Sequence, residues 1–461
     1  MEIAQPAAGA PVVRVPRGWV YGMFAEWPRR LRPLYQALGP VVRVVEEGAD
    51  YVFISAPPEN RQLLSQPDLF HTTEADSAAS LSPRDSALFR LSEGILSMNG
   101  SRHREQRHLM MPAFHRGHVG VYGDLIVRWT ERHLDAWRPG EVRDMRAEMS
   151  DLVLAILMDM LFGLDVHGDG AAFTALVRRF HEELFALIPD GTTPVTEEAA
   201  YPGVVALAEE VEGELHALIA AARAAPGRPD VLSMLVSPRA GGGMTDEEVA
   251  AQMLTLYIAG HESVAIALAS VLLLIAQHPE SAAELQAELD GALGGRAPEV
   301  AGLDRLPFLD AVIRETLRLL PGTPWAIRVA SEPAEMGPYR VPPGAAVVYS
   351  PYVTQRDPAL YPQPDRFLPA RWRTLDPSPY EYLPFAAGRR MCIGYTMSMV
   401  WMKLILGVLY PRFRLSVRPG ARIDRGRPDV DGHLPMVVHP PDGLFARAPI
   451  GGNICELIDF G

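Results

Sequence analysis

One stretch constrains the fold more than any other. Thr245-Asp-Glu-Glu248 has the spacing of a capping box, in which a hydroxyl and a carboxylate three residues apart each satisfy an orphan backbone N–H. No proline follows until Pro279, so the pattern predicts a helix from Thr245 to about His278. At ~1.5 Å per residue it would extend about 50 Å, long enough to cross a large domain. Its most apolar run, Val264 to Ala276, falls short of the ~20 residues a membrane span needs. Gln252, His261 and Glu262 precede that run. The expectation is therefore a buried helix of a soluble protein, with no membrane span.

The other elements fit around such a helix. Val41 to Ser55 alternates about Gly48-Ala49-Asp50 and reads as a hairpin, ended by Pro57-Pro58. From Pro58 to about Gln277 the pattern is mostly helical. Two turn-rich stretches interrupt it: the Ser-rich His71–Gly100, expected to be a functional loop, and Gly227–Met244, expected to link two helices. A helix is expected over Leu309–Leu319, then strands and turns over Val329–Tyr352, and another helix from Ile393 to Leu409. The remainder from Val417 reads as strand and loop, with Leu444–Gly461 an extension past the last expected strand. No repeat and no long linker divides the chain. The fold class expected is mainly α with a small β subdomain, in one domain over residues 1–461.

Composition excludes several functions. With 461 residues, 48% hydrophobic, the chain can bury a large core, so disorder is excluded. A net charge of −13 argues against binding nucleic acid or anionic membranes. The N-terminus lacks a charged region followed by an apolar one, so no signal peptide is read. The two cysteines, Cys392 and Cys455, cannot build a disulfide framework, and a reducing, cytoplasmic setting is expected.

The sharpest chemical signal is Phe385-Ala-Ala-Gly388-Arg-Arg390-Met-Cys392-Ile-Gly394. Two glycines bracket a cysteine at the mouth of an apolar helix, where the helix dipole, backbone N–H groups and Arg390 would stabilise a thiolate. A lone soft thiolate suits haem iron, although burial as a small apolar residue is the commoner fate of a single cysteine.

This stretch resembles the haem-binding signature F-x-x-G-x-R-x-C-x-G of the cytochrome P450 superfamily at every signature position. Glu315-Thr-Leu-Arg318 resembles the E-x-x-R pair of that family, and Phe367-Leu-Pro369-Ala-Arg371-Trp372 resembles the segment that supplies a third partner, Arg371. Ala259-Gly260-His-Glu262-Ser263 is similar to the oxygen-binding motif, with Ser263 where threonine is commonest. The resemblance implies a haem b lying between the long helix and the cysteine loop, with Cys392 as iron ligand and Phe385 beside it. It also implies His103, Arg107, Arg328 and Arg390 as partners of the haem carboxylates, which demand charge-assisted donors. Glu262 and Ser263 are implied as the pair that delivers protons to oxygen.

The function implied is a bacterial haem-thiolate monooxygenase that inserts one atom of O₂ into a largely apolar small molecule of secondary metabolism: terpene, macrolide or peptide-derived. Electrons would come from a ferredoxin and its reductase, docking through Arg102, Arg104, Arg389 and Lys403. The alternatives are a peroxygenase, dehydratase or isomerase, whose relatives often lose the acid–alcohol pair, or a haem sensor or carrier. Phe89, Leu91, Ile95, Leu96, Leu256, Trp325 and Ile327 are the expected pocket residues.

Overall fold

The capping box forms. Thr245 N–H donates to Glu248 Oε2 at 3.0 Å, and Glu248 N–H donates to Thr245 Oγ1 at 3.2 Å. The helix it opens runs Asp246–Gln277, 32 residues. This computed structural model describes residues 2–4, 11–72, 82–186, 201–237, 243–424, 433–443 and 447–460. Among the described residues, that helix alone is long and apolar enough to cross a membrane, and 61% of its most apolar window is buried in the protein. It passes that length test because the apolar character continues upstream of Val264: Val249, Ala250, Ala251, Met253, Leu254 and Tyr257 are all buried.

Two compact units divide the chain. The sheet-bearing unit comprises residues 1–70, 126–152 and 263–461; the helical unit comprises 71–125 and 153–262. The long helix passes from one to the other between Glu262 and Ser263.

In the sheet-bearing unit the expected hairpin is Val41–Glu46 antiparallel to Ala49–Ile54, turning at Glu47-Gly48. Gly48 has φ +82°, a value that costs glycine little and other residues more. The hairpin lies inside a seven-stranded sheet. Its order is Glu2–Ala4, Val12–Val15, Val41–Glu46, Ala49–Ile54, Ala346–Tyr349, Ala326–Ala330, and an edge strand beginning at Phe70. Ala346–Tyr349 runs parallel to Ala49–Ile54 and antiparallel to Ala326–Ala330. Below the sheet, Leu63, Leu64, Met336 and Val347 pack with Leu383 and Ala387, which belong to the cysteine loop and its approach. The loop is thereby anchored to the core on its inner side.

Three expectations need correction. His71–Gly100 is not loop throughout: Ala87–Ser92 is a helix, capped by Ser86 Oγ accepting from Phe89 N–H at 3.2 Å, while residues 73–81 lie outside the described residues. The helix after Cys392 runs Tyr395–Arg412, later than expected, because Gly394 occupies its N-cap position. The chain beyond Val417 holds a strand, Pro435–His439, but also a short helix, Ile454–Leu457. Part of the linker Gly227–Met244, residues 238–242, lies outside the described residues.

Candidate active site

The cysteine loop is held by its own backbone. Cys392 N–H donates to Phe385 O at 2.9 Å, and Met391 N–H to Gly388 O at 3.1 Å around the single turn Gly388–Arg390. Gly388 has φ +70°, and a Cβ there would come within 2.3 Å of Leu64 O, so only glycine fits. Ala386 also takes a positive φ, +55°, a conformation that persists only where the surroundings enforce it. Phe385 packs edge-on against Tyr395, ring centroids 4.9 Å apart. In this fixed frame the Cys392 side chain is exposed, and Cys392 and Cys455 are not joined in a disulfide. A rigid loop that presents an accessible sulfur is the donor a haem iron requires, so the residues present fit that group.

Glu315 and Arg318 lie on the helix Pro307–Leu319 and are 0% exposed. Arg318 grips the carboxylate with two bonds, Nε to Oε2 at 2.9 Å and Nη2 to Oε1 at 3.0 Å. Arg371 Nε donates to Oε1 at 3.0 Å, and the backbone N–H of Leu368 to Oε1 at 2.9 Å. The expected three-residue group is therefore assembled. Trp372 adds a donor that sequence reasoning passed over, its Nε1 lying 3.0 Å from Glu315 Oε2. Arg318 is further held by the carbonyls of Gln355, Pro364 and Arg366. Gln355, itself fully buried, accepts the N–H of Leu383 at 2.7 Å, just ahead of the cysteine loop. Tyr382 OH donates to Arg314 O at 3.1 Å, and burial raises its phenol well above the ordinary value. The buried node thus grips both the segment around Pro364 and the approach to Cys392.

Arg328 is half-buried on the strand Ala326–Ala330, its guanidinium 5.8 Å from the Tyr349 ring. Arg390 closes the short turn before Cys392. Both belong to the unit that carries the cysteine.

In the helical unit, His103 and Arg107 sit one turn apart on the helix Gly100–Phe114, His103 buried and Arg107 half-buried. Gln252 ties this helix to the long one. It is 0% exposed, accepts Ile95 N–H at 2.9 Å, and approaches Gln106 Oε1 at 3.4 Å. Close approach is also built into Gly94, where a Cβ would collide with Thr255 Oγ1 at 1.7 Å. Gly260 faces Leu157, whose Cδ1 would lie 3.1 Å from an added Cβ. Glu262 is half-buried, 3.6 Å from His261 Nδ1, while Ala259 and Ser263 are exposed near the middle of the helix. Burial pushes His181 below its ordinary value, against the opposing charge of Glu262.

Three of the four charges expected to dock a redox partner make ion pairs within the chain. Arg102 pairs with Glu93 at 2.9 Å, Arg389 with Asp68 at 3.2 Å, and Lys403 with Asp310 at 2.6 Å, its side chain 15% exposed. Lys403 thus serves the Glu315 helix rather than a partner surface.

A family model for cytochrome P450 matches residues 18–443. The cyclooctatin synthase of Streptomyces melanosporofaciens is 33% identical over 369 residues, 76% of this chain and 79% of that protein. The cyclooctat-9-en-7-ol 5-monooxygenase of the same organism is 31% identical over 434 residues, 90% of this chain and 92% of its own. A solved structure of a retinoic acid bound cyanobacterial member of the same family superposes with TM-score 0.75 at 23% identity, covering 88% of this chain and 93% of that one. At that identity the likeness speaks for the fold alone.

Proposed function

The chain belongs to the cytochrome P450 family, and from that premise we propose that Cys392 ligates the haem and that the enzyme oxidises an apolar small molecule of secondary metabolism. The family's enzymes are monooxygenases that hold haem b through a cysteine thiolate and use O₂ with electrons from redox partners. When bound, the haem supplies the activation of oxygen, and a thiolate ligand favours O–O cleavage by donating electron density.

The observation that carries this reading is the cysteine loop: a sulfur exposed on a backbone fixed by the Phe385–Cys392 bond and by Gly388 against Leu64. Phe385 packs on Tyr395 and shapes the same loop. His103, Arg107, Arg328 and Arg390 are assigned to the two haem carboxylates, because buried carboxylates need charged donors. Glu262 takes a proton from water at its carboxylate and passes it to Ser263 Oγ, which presents it to the dioxygen substrate.

Two relatives bear the names of enzymes acting in cyclooctatin biosynthesis. With the apolar residues Phe89, Leu91, Ile95, Leu96, Leu256, Trp325 and Ile327, this favours a cyclic terpene or similarly apolar substrate. A ferredoxin with its reductase is the proposed electron source. The burial of the long helix favours a core position over a membrane span and a cytoplasmic enzyme.

The test is the reduced CO complex. Cys392→Ala should abolish its thiolate-type absorption, and Cys455→Ala should leave it unchanged, because the Cys455 side chain is exposed at the surface. A thiolate-type spectrum surviving in Cys392→Ala would overturn the ligand assignment.

A further inference from the structure

We propose that residues 447–460 form a clamp that positions the loop carrying Cys392, with Arg356 as the positioning residue through which it acts. The inference rests on Cys392 being the haem ligand. It concerns a segment past residue 443, where the match to the family model ends.

The segment is built into the sheet-bearing unit. Ile454, Leu457 and Ile458 are at most 2% exposed. Ile423 N–H donates to Gly451 O at 2.9 Å, and Gly451 N–H donates to Ala421 O at 3.0 Å. Gly452, φ +98°, passes so close to Ile423 O that a Cβ would lie 2.1 Å from it. Arg29 and Glu456 add a two-bond ion pair at the surface.

Its reach toward the cysteine goes through residues 364–366. The carbonyls of Pro364 and Arg366 accept from Arg318 at 2.7 and 3.1 Å, while the carbonyl between them, Asp365 O, accepts the N–H of Asp459 at 2.9 Å. Arg366 N–H donates to Gln363 O at 3.2 Å, so these residues form a turn whose carbonyls at 364 and 366 bind the Glu315 node and whose carbonyl at 365 binds the clamp. Arg356 makes the second link. It is 2% exposed, lies over the Tyr352 ring at 4.1 Å, donates from Nη2 to Leu457 O at 3.1 Å, and has Nε 3.3 Å from Asp365 Oδ1. Withdrawing Leu457 O would leave a buried guanidinium donor unsatisfied, a costly state. Its neighbour Gln355 accepts from Leu383 N–H at the approach to the cysteine loop.

Asp459→Pro removes the single N–H that holds Asp365 O and nothing else of the main chain. Ile458, at φ −135° and ψ 128°, already has the extended conformation a following proline demands. Asp459→Ala is the control, since it keeps the N–H while giving up the exposed 3.8 Å ion pair with Arg366. In the holoprotein, mild heating should destroy the thiolate-type CO complex about tenfold faster in Asp459→Pro, the effect of one lost main-chain hydrogen bond. Amide exchange over 383–394 should rise with it, and Asp459→Ala should match the parent. Arg356→Met combined with Asp459→Pro should add little to either alone, because the two links join the same clamp to the same residue, Asp365. The clamp is overturned if Asp459→Pro decays like the parent, if Asp459→Ala decays as fast, or if exchange rises at 420–424 but not at 383–394. Absence of the thiolate band in the parent would instead defeat the haem reading itself.

Discussion

Two carboxylates of this protein, Glu315 and Glu262, live under opposite rules. Glu315 is 0% exposed and accepts from two guanidinium groups, an indole and a backbone N–H. Glu262 keeps 37% of its side chain exposed, and His261, 3.6 Å away, is charged only when protonated. A carboxylate buried among fixed donors keeps its place; one at the edge of water can reach solvent protons. The difference separates a group held in the core beside the cysteine loop from one proposed to serve turnover.

Breaking the held carboxylate should have the largest effect. Glu315→Gln strands the charges of Arg318 and Arg371 and should cost about 3–5 kcal/mol, seen in chemical denaturation as loss of the folded haem protein. A third carboxylate extends the comparison toward pH. Burial alone would raise Glu148, but bonds from His133 at 2.7 Å, Trp137 at 2.9 Å and Arg143 at 2.9 Å hold it down, to about 2. A depressed carboxylate contributes stability that is present above its unfolded value, near 4.5, and lost as pH falls toward about 2. Glu148→Gln should therefore flatten the fall in melting temperature over that window and remove up to about 3 kcal/mol at neutral pH.

Trp372→Phe removes one bond to a charged group while keeping the ring, and about 1.5–3 kcal/mol of unfolding free energy should go with it. Substitutions at the open pair come last. Ser263→Ala and Glu262→Gln should leave melting and substrate-induced spectra unchanged, yet divert electrons from product to peroxide or water. Ser263→Thr should couple at least as well as the parent, because the added methyl restricts the hydroxyl's rotamers. Parent-like coupling in both Ser263→Ala and Glu262→Gln would remove the relay.

These two regions also differ in how far the sequence discloses them. Glu315 and Arg318 share one helical turn, and the capping box at Thr245–Glu248 is likewise local; spacing exposes the box, while the pair is read through its resemblance to the family motif and its apolar neighbours. Cys392 is legible through its resemblance to the family signature, and its loop closes within eight residues around Gly388, where only glycine fits. Trp372 and Gln355 reach their partners across 57 and 28 positions, and no local period marks such a bond. Gln252 left one trace, a polar residue in an apolar helix, whose meaning depends on Ile95 and Gln106 far upstream. The helix Ile454–Leu457 has four residues, too few for a periodic signal, and owes its place to packing.

The most direct test compares the two carboxylates in one assay. Glu315→Gln and Glu262→Gln are expressed side by side, and the fraction of haem giving the thiolate-type reduced CO spectrum is measured in each. The account predicts that Glu315→Gln loses most of that fraction while Glu262→Gln retains all of it. Equal retention in both, or equal loss, would contradict it.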